Sequence, residues 1–264
     1  MSTPNPSLPP VPPEPADKDI ARQQMWRMTR RGFVRGAVAA SGGGLGWWWL
    51  QSRSTDNGIP WPLRAIHRLN ERLWGGAYSQ GRLAPEFPPA MAAEPKPNGV
   101  YGWPDDTDPA TWTLTVSQPE AVGRVFRLAH LVGHPRVEMT TELKCIEGWS
   151  QVVTWGGVRL ADFLTAQGLG QRPGGDWYPY LSLSTPDSKY YVGIDIASAL
   201  HPQTLLCDRM NGEPLPGKHG APLRLVITVK YGIKNIKWLS TIRFQDERPA
   251  DYWAERGYDW YSGL

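Results

Sequence analysis

The run TELKCIEGWSQVVTWGGVRLADFL, residues 141–164, contains Cys145, one of only two cysteines among 264 residues. The segment from Val137 to Cys145 has the composition of a strand, and Leu160 to Ala166 has the pattern that opens a helix. Cys145 is therefore expected where a strand passes into a turn, held on one side and accessible on the other. Such a thiol is either an apolar filler or a ligand for a soft metal, and the run alone leaves both open.

The composition of the whole chain favours a globular protein with an irregular, aromatic-rich body. Hydrophobic residues make up 41% of the chain and charged residues 20%, which is ordinary for a protein with a buried core. Fourteen tryptophans and 26 prolines indicate many ordered loops instead of a helical bundle. The net charge of +3, without a basic patch interleaved with aromatic residues, argues against a nucleic-acid partner.

The first 55 residues are expected to lie outside the main folded domain. Residues 1–28 are rich in proline and are predicted to be disordered. Residues 29–55 begin with TRRGFVR, in which Arg30 and Arg31 precede Phe33 and an apolar run, a pattern that resembles a twin-arginine export signal. The alternative is the basic start of a surface helix. The apolar run is marginal for a spanning helix and no convincing cleavage site follows it, so a cleaved signal and a retained membrane anchor both stay open.

Residues 56–97 are predicted to form a helix followed by a proline-rich linker. Apolar residues recur at helical spacing between Trp61 and Trp74: Leu63, Ile66, Leu69 and Leu73. This spacing predicts an amphipathic helix whose apolar face packs on the body or on a partner. The prolines between Ala84 and Pro97 predict an extended connector that leads into a glycine-containing turn at residues 98–103.

The second half of the chain contains apolar segments typical of strands, with cations gathered around the last of them. The segments are Trp112–Val116, Tyr180–Thr185, Tyr190–Ile196 and Leu223–Val229, with a short helix or turn at Ala197–Leu206. The cations are His219, Arg224, Lys230, Lys234 and Lys237, interleaved with glycines. Cationic side chains beside open backbone N–H groups indicate a phosphate-bearing ligand, and a strand with solvated basic flanks is the alternative.

Several motifs in the same order resemble the molybdopterin-binding domain of the sulfite oxidase superfamily. They are KCIEGWS at 144–150, WGG at 155–157, LHP at 200–202 and MNGEPLPGKHGAPLRLVITVKYGIKNIKWL at 210–239. The likeness is greatest to the bacterial branch that includes the catalytic subunit of the periplasmic methionine-sulfoxide reductase. It covers residues 98–264 and implies an α+β fold of the sulfite-oxidase type, with mixed sheets, short helices and many ordered loops.

The resemblance also implies a molybdenum–molybdopterin cofactor and assigns residues to it. Cys145 matches the thiolate that binds molybdenum, and Arg224 matches the arginine that holds the cofactor phosphate. The other cofactor-binding positions implied by the resemblance are Asn98, Tyr101, Gly102, Thr185, His219, Asn235, Ile236 and Lys237.

Three positions depart from the reductase branch. His219 stands where that branch has asparagine, Gly102 stands where it has glutamate, and Lys144 replaces an arginine of the relatives. The first two put the substrate of that branch in doubt for this chain, whereas cofactor binding is unaffected.

The implied function is a molybdenum-dependent oxidoreductase that moves an oxygen atom to or from a small sulfoxide, N-oxide or sulfite-like substrate. The chain has no haem-attachment motif and no cysteine cluster for iron–sulfur, so a separate redox partner is expected, such as a membrane-bound haem b subunit. The expected location is the periplasm, and Cys207 is expected to be a buried bystander. The alternative function is a non-catalytic scaffold subunit of a membrane respiratory complex. A serine hydrolase is not supported, because no G-x-S-x-G motif is present.

Overall fold

The computed structural model describes residues 17–56, 58–77, 81–99 and 110–263. The chain forms two compact units, residues 1–54 and residues 55–264. The second unit carries the predicted strands and also includes residues 55–97.

The first unit is built on one long helix, α1, over Asp17–Gln51. Disorder was expected through residue 28, and residues 17–28 belong to this helix. The reason lies in the sequence, since no proline follows Pro15 in this unit and the run Ala21–Met25 consists mainly of good helix formers. Residues 1–16 lie outside the described residues. Across the described part of the chain, no helix combines the length and the apolar character needed to cross a bilayer.

The second unit contains twelve described strands and four described α-helices, most of them short. In chain order they are β1 Thr55–Asp56, β2 Ile59–Pro60, α2 Trp61–Ala77, β3 Leu114–Ser117, β4 Arg124–Phe126, α3 Leu128–Val132, β5 Arg136–Lys144, β6 Ser150–Arg159, α4 Leu160–Gln167, β7 Tyr180–Ser184, β8 Tyr191–Asp195, α5 Ile196–Ala199, β9 Thr204–Met210, β10 Glu213–Pro214, β11 Arg224–Ile227 and β12 Thr241–Gln245. Short 3₁₀ turns lie at Pro89–Met91, Gly217–His219, Gly232–Lys234 and Ala254–Arg256.

Two five-stranded sheets form the body. The first has the order β10-β9-β6-β5, with β11 also paired to β9, and all its pairs are antiparallel. The second has the order β4-β3-β12-β7-β8, in which β3 and β12 run parallel and the other pairs antiparallel. This arrangement of mixed sheets and short helices confirms the predicted α+β class.

The main core forms where alternate residues of the second sheet meet α4. Along β7 the buried positions are Leu181 and Leu183, two residues apart, as expected for a strand with one face in the core. Helix α4 adds Leu160, Phe163 and Leu164 to the same cluster, which follows from their helical spacing. A smaller cluster on the first sheet includes Cys207, which is fully buried and has its pKa raised to about 12 by burial.

The glycine pair of the WGG motif explains how β6 and β9 pack. The register between these strands shifts between Gly156 and Gly157. A Cβ atom on Gly157 would lie 2.1 Å from the carbonyl oxygen of Leu206, so only glycine allows this approach.

Residues 81–99 form part of the body and are not a free linker. The Phe87 amide donates to the Thr140 carbonyl at 2.9 Å, so this segment pairs with the edge strand β5. The Gln203 side chain accepts from the Ala84 amide at 2.8 Å and donates to its carbonyl at 3.1 Å. These bonds attach the segment along its length and bring its end, Asn98, to the first sheet.

Candidate cofactor site

A cavity of about 260 Å³ lies in the second unit where the turn after β5 meets residues 95–99 and the segment around β11. Ligand sites commonly enclose a few hundred Å³ lined by apolar and aromatic groups with a few polar ones. Six of the lining residues were predicted to contribute to a cofactor site: Asn98, Cys145, His219, Arg224, Asn235 and Lys237.

Cys145 directly follows β5 and opens a tight turn. Its amide donates to the Trp149 carbonyl at 2.9 Å, and its own carbonyl accepts from the Gly148 amide at 3.2 Å. Gly148 has φ of 87°, a conformation that favours glycine. The turn holds the thiol at the cavity wall, half-buried, where the Asn98 amide nitrogen approaches the sulfur at 3.3 Å.

Arg224 is a buried cation at the start of β11, and its side chain is only 3% exposed. Its two terminal nitrogens donate to the carbonyl oxygens of His219 at 3.0 Å and Asn235 at 3.2 Å. Its Nε atom is buried and has no hydrogen-bond partner among the described residues. Burial lowers the pKa of Arg224 to about 10. A buried guanidinium with an unused donor, and no ion pair to a described carboxylate, is poised to accept an anion.

Lys237 is the second cation at the cavity. Its ammonium donates to three backbone carbonyl oxygens, those of Asn98 at 2.7 Å, Lys218 at 3.1 Å and Gly99 at 3.3 Å. Burial, and then the nearby Arg224 charge, lowers the pKa of Lys237 to about 8. The two positive charges therefore oppose each other, and a phosphate between them would relieve this repulsion.

His219 is buried beside these cations and is oriented by an acid that sequence reasoning missed. Its Nε2 atom lies 3.0 Å from Oε1 of Glu94, which also accepts from Lys218 at 2.5 Å. Hydrogen bonds from Lys218 and His219 lower the pKa of Glu94. Desolvation lowers the pKa of His219 and outweighs the effect of Glu94. The pair is therefore a glutamate that accepts from a neutral imidazole.

Asn235, Ile236 and Thr185 occupy other roles in the structure. The Asn235 side chain accepts from the Ile227 amide at 2.6 Å, which fixes the end of β11, and its backbone borders the cavity. Ile236 is fully buried in the main core. The Thr185 hydroxyl donates to Asp187 at 2.8 Å and does not line the cavity. Tyr101 and Gly102 lie outside the described residues.

Two of the predicted phosphate-binding cations face away from the cavity. Lys234 donates to Asp251 at 2.6 Å and to the Gly193 carbonyl at 2.9 Å, both buried. Lys230 donates to the Tyr261 carbonyl at 2.9 Å and lies 3.7 Å from Asp195. Of the five cations counted around β11, only His219, Arg224 and Lys237 line the cavity.

Aromatic residues that sequence reasoning did not assign form much of the cavity wall: Trp149, Tyr190, Trp238, Trp253 and Tyr258. The Tyr190 hydroxyl donates to the Ile233 carbonyl at 2.7 Å, and burial raises the pKa of Tyr190. The high tryptophan content was the only signal of this wall. It gives no positions, because the residues come from four separate segments.

The residues present fit a molybdopterin. The thiol of Cys145 is a soft donor of the kind that molybdenum binds. The unpartnered Nε of Arg224, together with the ammonium of Lys237, suits a phosphate group. Gly220 allows Lys237 to pack closely against it. A Cβ atom on Gly220, whose φ is 111°, would lie 2.8 Å from Cβ of Lys237.

Comparison with known proteins gives this site its family. A family model described as an oxidoreductase molybdopterin binding domain matches residues 101–253. The putative protein-methionine-sulfoxide reductase subunit YedZ1 of Azospira oryzae is 31% identical over 237 residues, 89% of this chain and 87% of that protein. The protein-methionine-sulfoxide reductase catalytic subunit MsrP of Xanthomonas campestris is 36% identical over 57% of this chain. The alignment covers 53% of MsrP, so this chain spans about half of that relative.

The crystal structure of the sulfane dehydrogenase SoxCD from Paracoccus pantotrophus is also similar, with a TM-score of 0.48 and 20% identity over 54% of this chain and 40% of that chain. The family match and the YedZ1 relative confirm the resemblance inferred from the motifs. The chain belongs to the oxidoreductase molybdopterin-binding family of the sulfite oxidase superfamily and is a molybdopterin-dependent oxidoreductase.

Proposed function

We propose that the second unit binds one molybdopterin through Cys145, Arg224 and Lys237 and reduces a small sulfoxide. The observation that carries the proposal is the shared cavity. A half-buried thiol, a buried arginine and a half-buried lysine border it, and neither cation forms an ion pair with a described carboxylate. When bound, the molybdenum centre supplies a two-electron exchange of an oxygen atom.

Residues of the chain bind the metal, hold the phosphate and limit access of water. Cys145 offers its thiolate to the metal, and the Asn98 amide directs a donor at that sulfur. Arg224 and Lys237 hold the phosphate, for which the planar guanidinium is suited. The aromatic wall limits water at the cavity, which strengthens the electrostatic contacts inside it.

A sulfoxide is the preferred substrate because the relatives named above are methionine-sulfoxide reductase subunits. Reduction of a sulfoxide breaks its sulfur–oxygen bond and releases a thioether and one water, with two electrons and two protons taken up. His219, where that branch has asparagine, borders the cavity and is the position most relevant to a different substrate. N-oxides and sulfite are therefore the other compounds to test.

The electrons come from a separate partner, for which we propose a membrane-bound haem b subunit. The word subunit in the relatives' names supports an assembly with another chain. We also propose export to the periplasm by the twin-arginine route. The export proposal rests on Arg30, Arg31 and Phe33, whose side chains are exposed on α1.

The test is metal content in matched cysteine variants. Purified protein should hold close to one molybdenum per chain, and Cys145→Ala should lose it. Cys207→Ala is the matched control, because that thiol is in the smaller core and not at the cavity. A folded wild-type protein that lacks molybdenum after expression with the cofactor would refute the proposal and favour a scaffold. Turnover of sulfoxides, N-oxides and sulfite with an artificial electron carrier then identifies the substrate.

A further inference from the structure

Helix α2 is attached to the body through its polar side. Arg64 is buried, and its guanidinium donates to the carbonyl oxygens of Ala254 and of Asp56, the latter at 3.3 Å. Glu71 forms a bidentate ion pair with Arg248, with one contact at 2.8 Å. Arg64 and Glu71 are seven residues apart, so they lie on the same side of the helix. That side of α2 faces the rest of the second unit.

The opposite side of α2 is apolar and exposed. Ile66, Leu69 and Leu73 follow one another at intervals of three and four residues and form one stripe. Each of the three side chains is more than half exposed. A helix on the surface of a globular protein normally buries such a stripe and turns its charges outward. The amphipathic helix predicted from the sequence is therefore present, but its apolar face does not pack on the described body.

Charge and aromatic residues around the stripe indicate what covers it. Arg72 is exposed on the flank of the helix, Arg68 pairs with Asp56 at 3.5 Å, and the only acid in α2, Glu71, is paired with Arg248. Trp61 and Trp74 are exposed toward its two ends. Seventeen residues give a helix about 25 Å long. An apolar stripe flanked by an exposed arginine, with tryptophans near the ends, suits the plane between lipid headgroups and acyl chains.

We propose that α2 is an interfacial helix that places the second unit on an anionic lipid surface. Lipid is favoured over a protein groove because the flank of the stripe carries the exposed cation Arg72, whereas the one acid of α2, Glu71, is paired on the opposite side of the helix. The hydrogen bonds of Arg64 and the ion pair of Glu71 keep the helix fixed on the body while its stripe enters the membrane surface. The proposal stands on these contacts and does not depend on the substrate or the cofactor.

The first experiment measures partition of the full-length, cofactor-loaded protein into vesicles of phosphatidylcholine with and without phosphatidylglycerol. Leu69→Glu should lower the partition coefficient by roughly tenfold or more, because the burial of one leucine side chain is lost. The matched control is Val122→Glu, which places the same charge at a side chain that is 92% exposed in the turn between β3 and β4. The control should partition like the wild type, and both variants should keep their molybdenum and turnover with an artificial electron carrier.

The second experiment localises the contact, because α1 also exposes large apolar side chains. Hydrogen exchange of the peptide covering residues 61–77 should slow when vesicles with phosphatidylglycerol are added. The variant Ile66→Glu/Leu69→Glu/Leu73→Glu should not show this protection. Unchanged exchange at α2, together with equal partition of Leu69→Glu and wild type, would overturn the proposal. Dimerisation in the absence of lipid that Leu69→Glu abolishes would also overturn it and assign the stripe to a second copy of the chain.

Discussion

The Asn98 side-chain amide donates toward the Cys145 thiol at 3.3 Å, although the two residues are 47 positions apart. The same amide approaches Glu147 at 3.1 Å, so it connects the end of the segment before the family domain to the turn that holds the thiol. A donor aimed at a thiolate stabilises its charge.

We predict that Asn98→Ala keeps the molybdenum but lowers turnover about tenfold, because a charge-assisted hydrogen bond to the sulfur is worth about 1.5–3 kcal/mol. Steady-state kinetics on protein with measured metal content test this. Arg243→Ala, at an exposed position of β12 that does not line the cavity, is the control and should keep normal turnover. Equal turnover of Asn98→Ala and wild type would show that the amide has no role at the sulfur.

The second prediction concerns Arg224→Met. This variant should bind little molybdenum, because the phosphate loses its buried guanidinium. Without the cofactor, however, its free energy of unfolding should lie within about 1 kcal/mol of the wild type or above it, since an uncompensated buried charge has been removed. Metal analysis and urea unfolding of cofactor-free protein measure the two effects. Arg209→Met, an exposed change on the adjacent strand β9, should bind molybdenum normally.

A third prediction is a pH dependence that differs between the cofactor-free and loaded proteins. The pKa of Lys237 is lowered to about 8, whereas a lysine in an unfolded chain titrates near about 10.4. Between these pH values the unfolded chain binds more protons, so the contribution of Lys237 to the free energy of unfolding rises with pH. Below pH 8 Lys237 is charged in both the folded and the unfolded state, so the full cost of burying its charge is subtracted from the free energy of unfolding.

Lys237→Met should remove this rise when cofactor-free wild type and variant are compared from pH 7 to 10 by urea unfolding. Lys189→Met, with a side chain that is mostly exposed, should leave it unchanged. In the loaded protein a phosphate beside Lys237 should raise its pKa, so the difference between Lys237→Met and wild type should shrink. The difference in free energy of unfolding between Lys237→Met and wild type could instead change equally with pH in the cofactor-free and the loaded protein. That result would contradict phosphate binding at Lys237.

The fourth prediction separates stability from cofactor binding. Lys234 and Asp251 form a fully buried ion pair at 2.6 Å, away from the cavity. Lys234→Met leaves the Asp251 carboxylate uncompensated, and the cost should be about 3–5 kcal/mol in the free energy of unfolding. Folded Lys234→Met protein should still bind molybdenum at low temperature. Loss of the metal from protein that remains folded would instead place Lys234 in the cofactor site.

The last prediction tests export. Replacement of Arg30 and Arg31 by lysine should leave the protein in the cytoplasm, because a receptor reads the paired guanidinium groups. Arg35→Lys is the control within the same helix and should be exported. Cell fractionation with an antibody to the folded domain measures the outcome. Periplasmic protein from the double variant would remove the export proposal.

Local patterning predicted those strands that show clear alternation or an apolar run. The segments expected at Val137–Cys145 and Tyr180–Thr185 correspond to β5 and β7, which end one residue earlier. Strand β6 was missed because its glycine pair weakens the strand pattern, and that pair is explained only by the close approach of β9. The segment Ala197–Leu206 was predicted to be a short helix or turn, but only its start is helical, in α5, and its last three residues begin strand β9.

Of the residues predicted for the cofactor site, Cys145 and Arg224 both border the cavity. The sequence could not show which of several neighbouring lysines borders the cavity and which lies in the interior. Lys234 and Lys237 are three residues apart around a 3₁₀ turn, yet one pairs with Asp251 in the interior and the other borders the cavity. The partner that decides this, Asp251, is distant along the chain, and local patterning carries no information about it.

The backbone pairing of residues 81–99 with β5 has a consequence for any shortened version of this protein. The family match begins at residue 101, and a fragment cut there would keep both five-stranded sheets. It would lose Asn98 and Glu94, and with them the donor at Cys145 and the acid that orients His219. One side of the cavity thus belongs to sequence upstream of the family domain, so truncation at the domain boundary would open the cavity to solvent on that side.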